Sequence, residues 1–185
     1  MKIAVAMLAV AGLACAATAQ TAVLPITADT PTWDAAGSVN NVVLTFDVAS
    51  LMGFAPGTPI TLQTLSYNVS IETVGESWLS EARLLFRDSA STPLFNFRPS
   101  ADGRPSVGIE NFSGGPLALS PALPPAALFL PDGVLKIEFF ESFDDLADEI
   151  DAFYRSGSVT FTGIPTPGAA ALLGLGGLAA ARRRR

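Results

Sequence analysis

The stretch Leu65-Ser66-Tyr67-Asn68-Val69-Ser70-Ile71-Glu72 decides the fold class. Its apolar residues fall at 65, 67, 69 and 71 and its polar ones at 66, 68, 70 and 72. A period of two places one set on a dry face and the other on a wet face, as in a half-buried strand. The pattern repeats on both sides. Val42, Leu44, Phe46 and Val48 alternate with Val43, Thr45 and Asp47, and Trp78, Ala82, Leu84 and Phe86 share a parity against Glu81, Arg83 and Arg87. Leu135, Ile137 and Phe139 oppose Lys136 and Glu138, and Val159 and Phe161 oppose Thr160 and Thr162. One-sided strands of this kind belong to antiparallel sheets. Ile60 and Leu62 have the opposite parity to Leu65, which predicts a bulge near Gln63-Thr64.

Turn residues separate these runs at Gly53, Pro56-Gly57, Asp102-Gly103, Gly114-Gly115-Pro116 and Asp132-Gly133. Short strands between Gly/Pro turns predict an all-β fold, an antiparallel β-sandwich or jelly roll. Residues 99–131 hold seven prolines, which cannot donate to a central ladder, so long loops with short edge strands such as 127–130 are expected there. One helix is expected within 144–154, where Leu146, Ile150 and Phe153 fall at i, i+4 and i+7 and Ser142 or Asp144 could cap it.

The 185 residues are 49% hydrophobic, with one cysteine and no histidine. This is enough chain for one domain with a real core. The lack of histidine excludes His-based triads, His-liganded zinc and His proton shuttles. Residues 20–163 carry six basic side chains against all 17 acidic ones, a net charge of −11. Such a surface repels nucleic acid and anionic headgroups, so a nucleic-acid partner is not expected.

The two ends are addresses. Lys2 precedes an apolar stretch at 3–14, and Ala17-Thr18-Ala19 has the A-x-A form that signal peptidase accepts, which places cleavage after Ala19 and defines a secretory leader over 1–19. A lipoprotein signal at Cys15 fits less well, because Gly12 stands where leucine is usual. With the leader removed the mature chain has no thiol. At the other end, Ile164-Pro165-Thr166-Pro167-Gly168 precedes the apolar run 169–181 and then Arg182, Arg183, Arg184 and Arg185. Thirteen helical residues cover about 20 Å, short of the roughly 30 Å hydrocarbon core, and the arginines would stay on the cytoplasmic side. An ordinary tail anchor would need no Pro-x-Pro element.

This tail resembles the PEP-CTERM protein-sorting signal of bacteria, with Thr166 where the family has Glu. The resemblance covers 164–185. It implies export, a membrane-held C-terminus and an exosortase-type processing enzyme acting at Pro165, Thr166, Pro167 and Gly168. A fainter likeness joins 65–88 and 135–162 to the jelly-roll P domains that lie beside subtilisin-type proteases, in which acidic loops can hold Ca²⁺.

Within 20–163, Glu141, Asp144, Asp145, Asp148, Glu149 and Asp151 crowd one segment. Oxygen ligands at that density suit Ca²⁺, but the spacing lacks the EF-hand order, and a solvated charged face is the plainer reading. Paired carboxylates could also serve a glycoside hydrolase, but nothing in the sequence selects a pair. Trp33, Trp78 and Tyr154 could form a sugar platform, with Trp78 expected in the core by parity and Trp33 expected exposed. The expectation is an exported, envelope-tethered, non-catalytic sandwich associated with the cell surface or its polysaccharide matrix. A carbohydrate-binding module is the alternative, and a hydrolase the third.

Overall fold

A computed structural model describes residues 18–100, 107–119, 128–143 and 149–166. The leader through Ala17, Asp144, Asp145 and Asp148, and the tail from Pro167 through Arg185 lie outside the described residues. The strands are β1 (Gln20–Ile26), β2 (Thr30–Thr32), β3 (Val42–Asp47), β4 (Ile60–Thr73), β5 (Ala82–Asp88), β6 (Pro93–Phe97), β7 (Ile109–Ala118), β8 (Phe129–Leu130), β9 (Val134–Glu141) and β10 (Ala152–Pro165). A single-turn helix, α1 (Val48–Leu51), follows β3 and is capped by Asp47, whose Oδ1 accepts from the Ser50 N–H at 2.9 Å.

The strands form two antiparallel sheets. One runs β1-β10-β4-β7, with β2 beside β10 and β8 beside β4; the other runs β3-β9-β5-β6. Among the eight longer strands, every connection crosses from one sheet to the other except the β5–β6 hairpin. This wrapping is that of a jelly roll. The core fills the space between the sheets, and aromatic pairs tie them together. Phe86 of β5 meets Phe161 of β10 edge-on at 5.4 Å, Phe139 of β9 meets Tyr154 of β10 at 5.0 Å, and Tyr67 of β4 meets Phe97 of β6 at 4.9 Å.

The expected bulge is present. In the β4–β10 ladder Thr64 faces Thr162 and Leu62 faces Gly163, so Gln63 is the extra residue. It lets Ile60, Leu62 and Leu65 all point inward despite their mixed parity. A second irregularity leaves Arg155 unpaired between Tyr154 and Ser156 and turns its guanidinium outward, 2.5 Å from Glu72 and 2.6 Å from Asp29.

Three expectations are corrected. The proline-rich segment 99–131 holds a ten-residue strand, β7, besides the short edge pairing of β8. Strand β7 tolerates Pro116 because it lies at an irregularity of the β4 ladder, where Leu65 pairs with Leu117 and Tyr67 with Gly114. The helix expected to include Phe153 and Tyr154 is replaced by β10, with Ala152 paired to both Thr32 and Thr73. A strand with a partner on each side satisfies more backbone groups than one isolated turn of helix would. Trp78 is not core. The bonds Ser77 N–H to Val74 O and Glu81 N–H to Trp78 O make 74–81 a turn, which resets the alternation so that Leu79 goes inward instead.

Candidate functional site

The pairings Thr73–Ala152 and Ala82–Glu141 bring the end of β4, the start of β5, the end of β9 and the start of β10 to one end of the sandwich. The acidic residues singled out in the sequence converge here in part. Glu141 keeps the inward parity of β9 and is fully buried, and its Oε1 accepts from the Thr32 hydroxyl at 2.5 Å. Asp151 is buried ahead of β10 and accepts from the Ser77 hydroxyl at 3.0 Å. Its backbone N–H donates to Thr32 O, and its carbonyl accepts from the Val74 N–H. Both carboxylates thus brace the loops at this end. Glu149 is exposed. Among the described residues no group of three or more Asp, Glu, Cys or His could hold a metal ion.

Beside this buried layer lies an open cleft of about 320 Å³, lined by Glu76, Trp78, Glu81 and Phe143. Trp78 is 47% exposed and Phe143 62%. Hydrogen bonds hold the turn that carries Trp78. The Glu81 carboxylate accepts from the Trp78 N–H at 2.8 Å, and the Glu81 N–H returns to Trp78 O at 2.9 Å. The Ser142 N–H donates to Glu81 O, fastening the segment that carries Phe143 to the same turn. Buried Ser77, held by Asp151, fixes the turn from below. Two aromatic side chains are therefore displayed to solvent on a hydrogen-bonded frame, with two carboxylates around them.

The local charge is mostly negative. Burial and Arg98 pull the Arg83 guanidinium below its ordinary range, while Glu141 and Glu81 pull it back up. Tyr154 is fully buried against Phe139, and burial first, then the field of Glu141, push its phenol well above its ordinary value.

Of the three aromatic residues offered as a sugar platform, Trp78 belongs to the cleft, Trp33 is half-buried and Tyr154 is core. Glu76, Glu81 and Phe143 escaped sequence reasoning. The one signal was the bracketing of Trp78 by two glutamates in a segment opened by Gly75. A second, shallower depression of about 520 Å³ lies on the outer face of the β3-β9-β5-β6 sheet. Its charged groups are hydrogen-bonded within the sheet: Arg87 bonds Glu138 and Ser91 O, and Lys136 bonds Ser89 O and the Ser91 hydroxyl.

No family model matches the chain. No curated protein matches it either. Similar solved structures include that of infectious bursal disease virus, Gx strain, 12% identical over 81% of this chain and 33% of that one, with a TM-score of 0.41. The Gt strain of the same virus is 13% identical over 80% and 33%, with a TM-score of 0.39. A subviral particle of that virus is 15% identical over 82% and 35%, with a TM-score of 0.38. The chain spans about a third of the length of each.

Proposed function

We propose that this is an exported bacterial protein whose jelly-roll domain is held at the cell envelope and acts there by binding, not by catalysis. The observation that carries the reading is the placement of the two addresses. The Ala17-Thr18-Ala19 site ends immediately before Gln20, the first residue of β1, and the Pro165-Thr166-Pro167 motif begins on the last residue of β10. The leader motif thus ends where the fold begins, and the tail motif starts within the last residues of β10, where Ile164 and Pro165 pair with Thr61 and Ile60. Signal peptidase removes the first, and an exosortase-type enzyme acts on the second. The apolar run 169–181 lodges in the membrane, and Arg182, Arg183, Arg184 and Arg185 resist translocation.

Cell fractionation and mass spectrometry test this reading. Deleting 167–185, which leaves β10 and Thr166 in place, should release the domain into the medium, and replacing the four arginines with Ser should spoil retention. A mature protein that begins at Gln20 and ends near Pro167 is the expected product. Recovery of the whole chain, Met1 to Arg185, in the cytosol would overturn the proposal.

A second reading, binding of matrix polysaccharide, is favoured by one specific feature, the cleft that displays Trp78 and Phe143. Exposed aromatic faces on a fixed frame suit the C–H faces of sugar rings, and Glu76 and Glu81 can accept from hydroxyl groups. Ca²⁺ bound through Glu141, Asp144, Asp145, Asp148 and Asp151 would stabilise the same end of the sandwich. A rise in melting temperature at millimolar Ca²⁺ that is lost on changing Asp144, Asp145 and Asp148 to Asn would support it.

A further inference from the structure

We propose that the Trp78–Phe143 cleft takes a sugar polymer carrying free ammonium groups, in preference to a neutral or an acidic one. This rests on the polysaccharide-binding reading and names the class of glycan.

Three observations converge on that class. The first is charge. Of the described residues that line the cleft two are glutamates and none is basic. Arg83 lies close enough to feel Glu81 and is itself within the field of Arg98, but Glu141 also acts on it and Asp151 is buried nearby, so Glu76, Glu81, Glu141 and Asp151 outnumber the two arginines. The net local sign stays negative. The wider field agrees, since residues 20–163 carry a net charge of −11, which raises the local concentration of cations and turns away uronic or sulfated chains.

The second is the aromatic pair. The face of an indole or phenyl ring is the negative part of its quadrupole, so it attracts an ammonium as well as apolar C–H groups. A 2-amino-2-deoxy sugar offers both within one ring. Its C–H face can lie on Trp78 while the ammonium reaches a glutamate. A neutral sugar keeps the ring contact but offers the glutamates only uncharged hydroxyl donors, and an acidic one would be repelled by Glu76 and Glu81.

The third is shape and rigidity. The cleft is open and leaves both rings roughly half exposed, which suits a polymer passing across the site better than a small molecule enclosed within it. The turn is already fastened by the Trp78–Glu81, Ser142–Glu81 and Ser77–Asp151 hydrogen bonds, so little ordering cost remains to be met on binding.

The test uses the full chain in detergent micelles and follows indole fluorescence and calorimetric heat against three probes: a β-1,4-linked glucosamine hexamer, its fully N-acetylated counterpart, and hexalysine. The glucosamine hexamer should bind at least tenfold more tightly than the acetylated one and than hexalysine, and its affinity should fall with added salt. Trp78→Ala should weaken it at least tenfold and Glu76→Gln several-fold. Both side chains lie at the surface, and an unchanged melting temperature verifies that the fold is kept. Glu81 is left intact because it caps the turn. Equal binding of the acetylated hexamer, lost in Trp78→Ala, would overturn the preference for ammonium and leave the polysaccharide reading standing. Hexalysine binding as tightly as the glucosamine hexamer would overturn the sugar assignment in favour of a basic peptide. Failure of all three probes would overturn both this inference and the polysaccharide reading, while the fractionation result would be untouched.

Discussion

Arg87 and Glu138 form a nearly dry ion pair on the outer face of the β3-β9-β5-β6 sheet. The Arg87 Nε and one terminal nitrogen reach the same Glu138 oxygen at 2.7 and 2.5 Å, with the two side chains 14% and 3% exposed. The other Glu138 oxygen accepts from the Asn41 amide at 2.9 Å and from the Gly37 N–H. The pair therefore does more than join β5 to β9. It pins the 33–41 loop across the sheet, and that loop is what covers the carboxylate.

Removing one partner strands the other. Arg87→Ala should cost about 3–5 kcal/mol, because a buried carboxylate is left without its counter-charge. The Arg87→Ala/Glu138→Ala double variant should lose less than the sum of the two single variants, since neither charge is then left alone. Urea unfolding of the four proteins measures the coupling. Strict additivity would mean that the pair carries no net interaction.

Gly157 is a second point of stress. It sits in β10 opposite Val69 with φ of +137°, and a Cβ there would lie 2.2 Å from the Asn68 carbonyl oxygen. Both the backbone conformation and the contact exclude a side chain, because the obstacle is backbone in a central ladder and cannot swing away. Gly157→Ala should destabilise by at least about 2 kcal/mol. A thermal midpoint within a degree of wild type would show that the ladder yields more easily than this.

The sandwich was legible in the alternation of five runs, and even the Gln63 bulge could be read from the parity clash between Leu62 and Leu65. The reading failed where local and long-range forces disagree. Phe153 and Tyr154 carry helical spacing, but β2 and β4 offer them partners on both sides, and a one-dimensional pattern does not contain those partners. Strand β7 was hidden because its exposures do not alternate cleanly, with Phe112 its one buried residue. The cleft was missed because Trp78 was assigned to a strand that starts four residues later, and because Phe143 reaches it only once β9 is paired with β5.

Thr166, in the proposed sorting motif, is tied into the fold. Its N–H donates to Pro59 O at 2.8 Å, and its hydroxyl lies 2.7 Å from that of Thr61. Thr166→Val removes the hydroxyl contact while keeping the shape. The loss of about 1 kcal/mol should appear as local fraying, with exchange of the Thr166 amide rising about fivefold and core amides unchanged. Uniform acceleration along β10 would instead mean that the strand opens as one unit.

Tyr154 should make the fold sensitive to alkaline pH. It is fully buried, its hydroxyl has no hydrogen-bond partner among the described residues, and burial with the Glu141 field raises its pKa well above the usual value of about 10. In the unfolded chain the phenol ionises at its ordinary pKa, so above about pH 10 the folded state holds a proton that the unfolded state has released. Stability from this group is therefore fully present below that pH and is lost as pH rises further. Tyr154→Phe removes both the titration and the unpartnered hydroxyl. It should leave stability at pH 7 unchanged or raised by about 1 kcal/mol, and it should move the alkaline unfolding midpoint upward. Phenolate absorbance recorded together with circular dichroism checks the mechanism, because the Tyr154 contribution should emerge only with loss of strand signal. Ionisation of Tyr154 in a chain that still shows its full strand spectrum would mean that the phenol reaches solvent in the folded state.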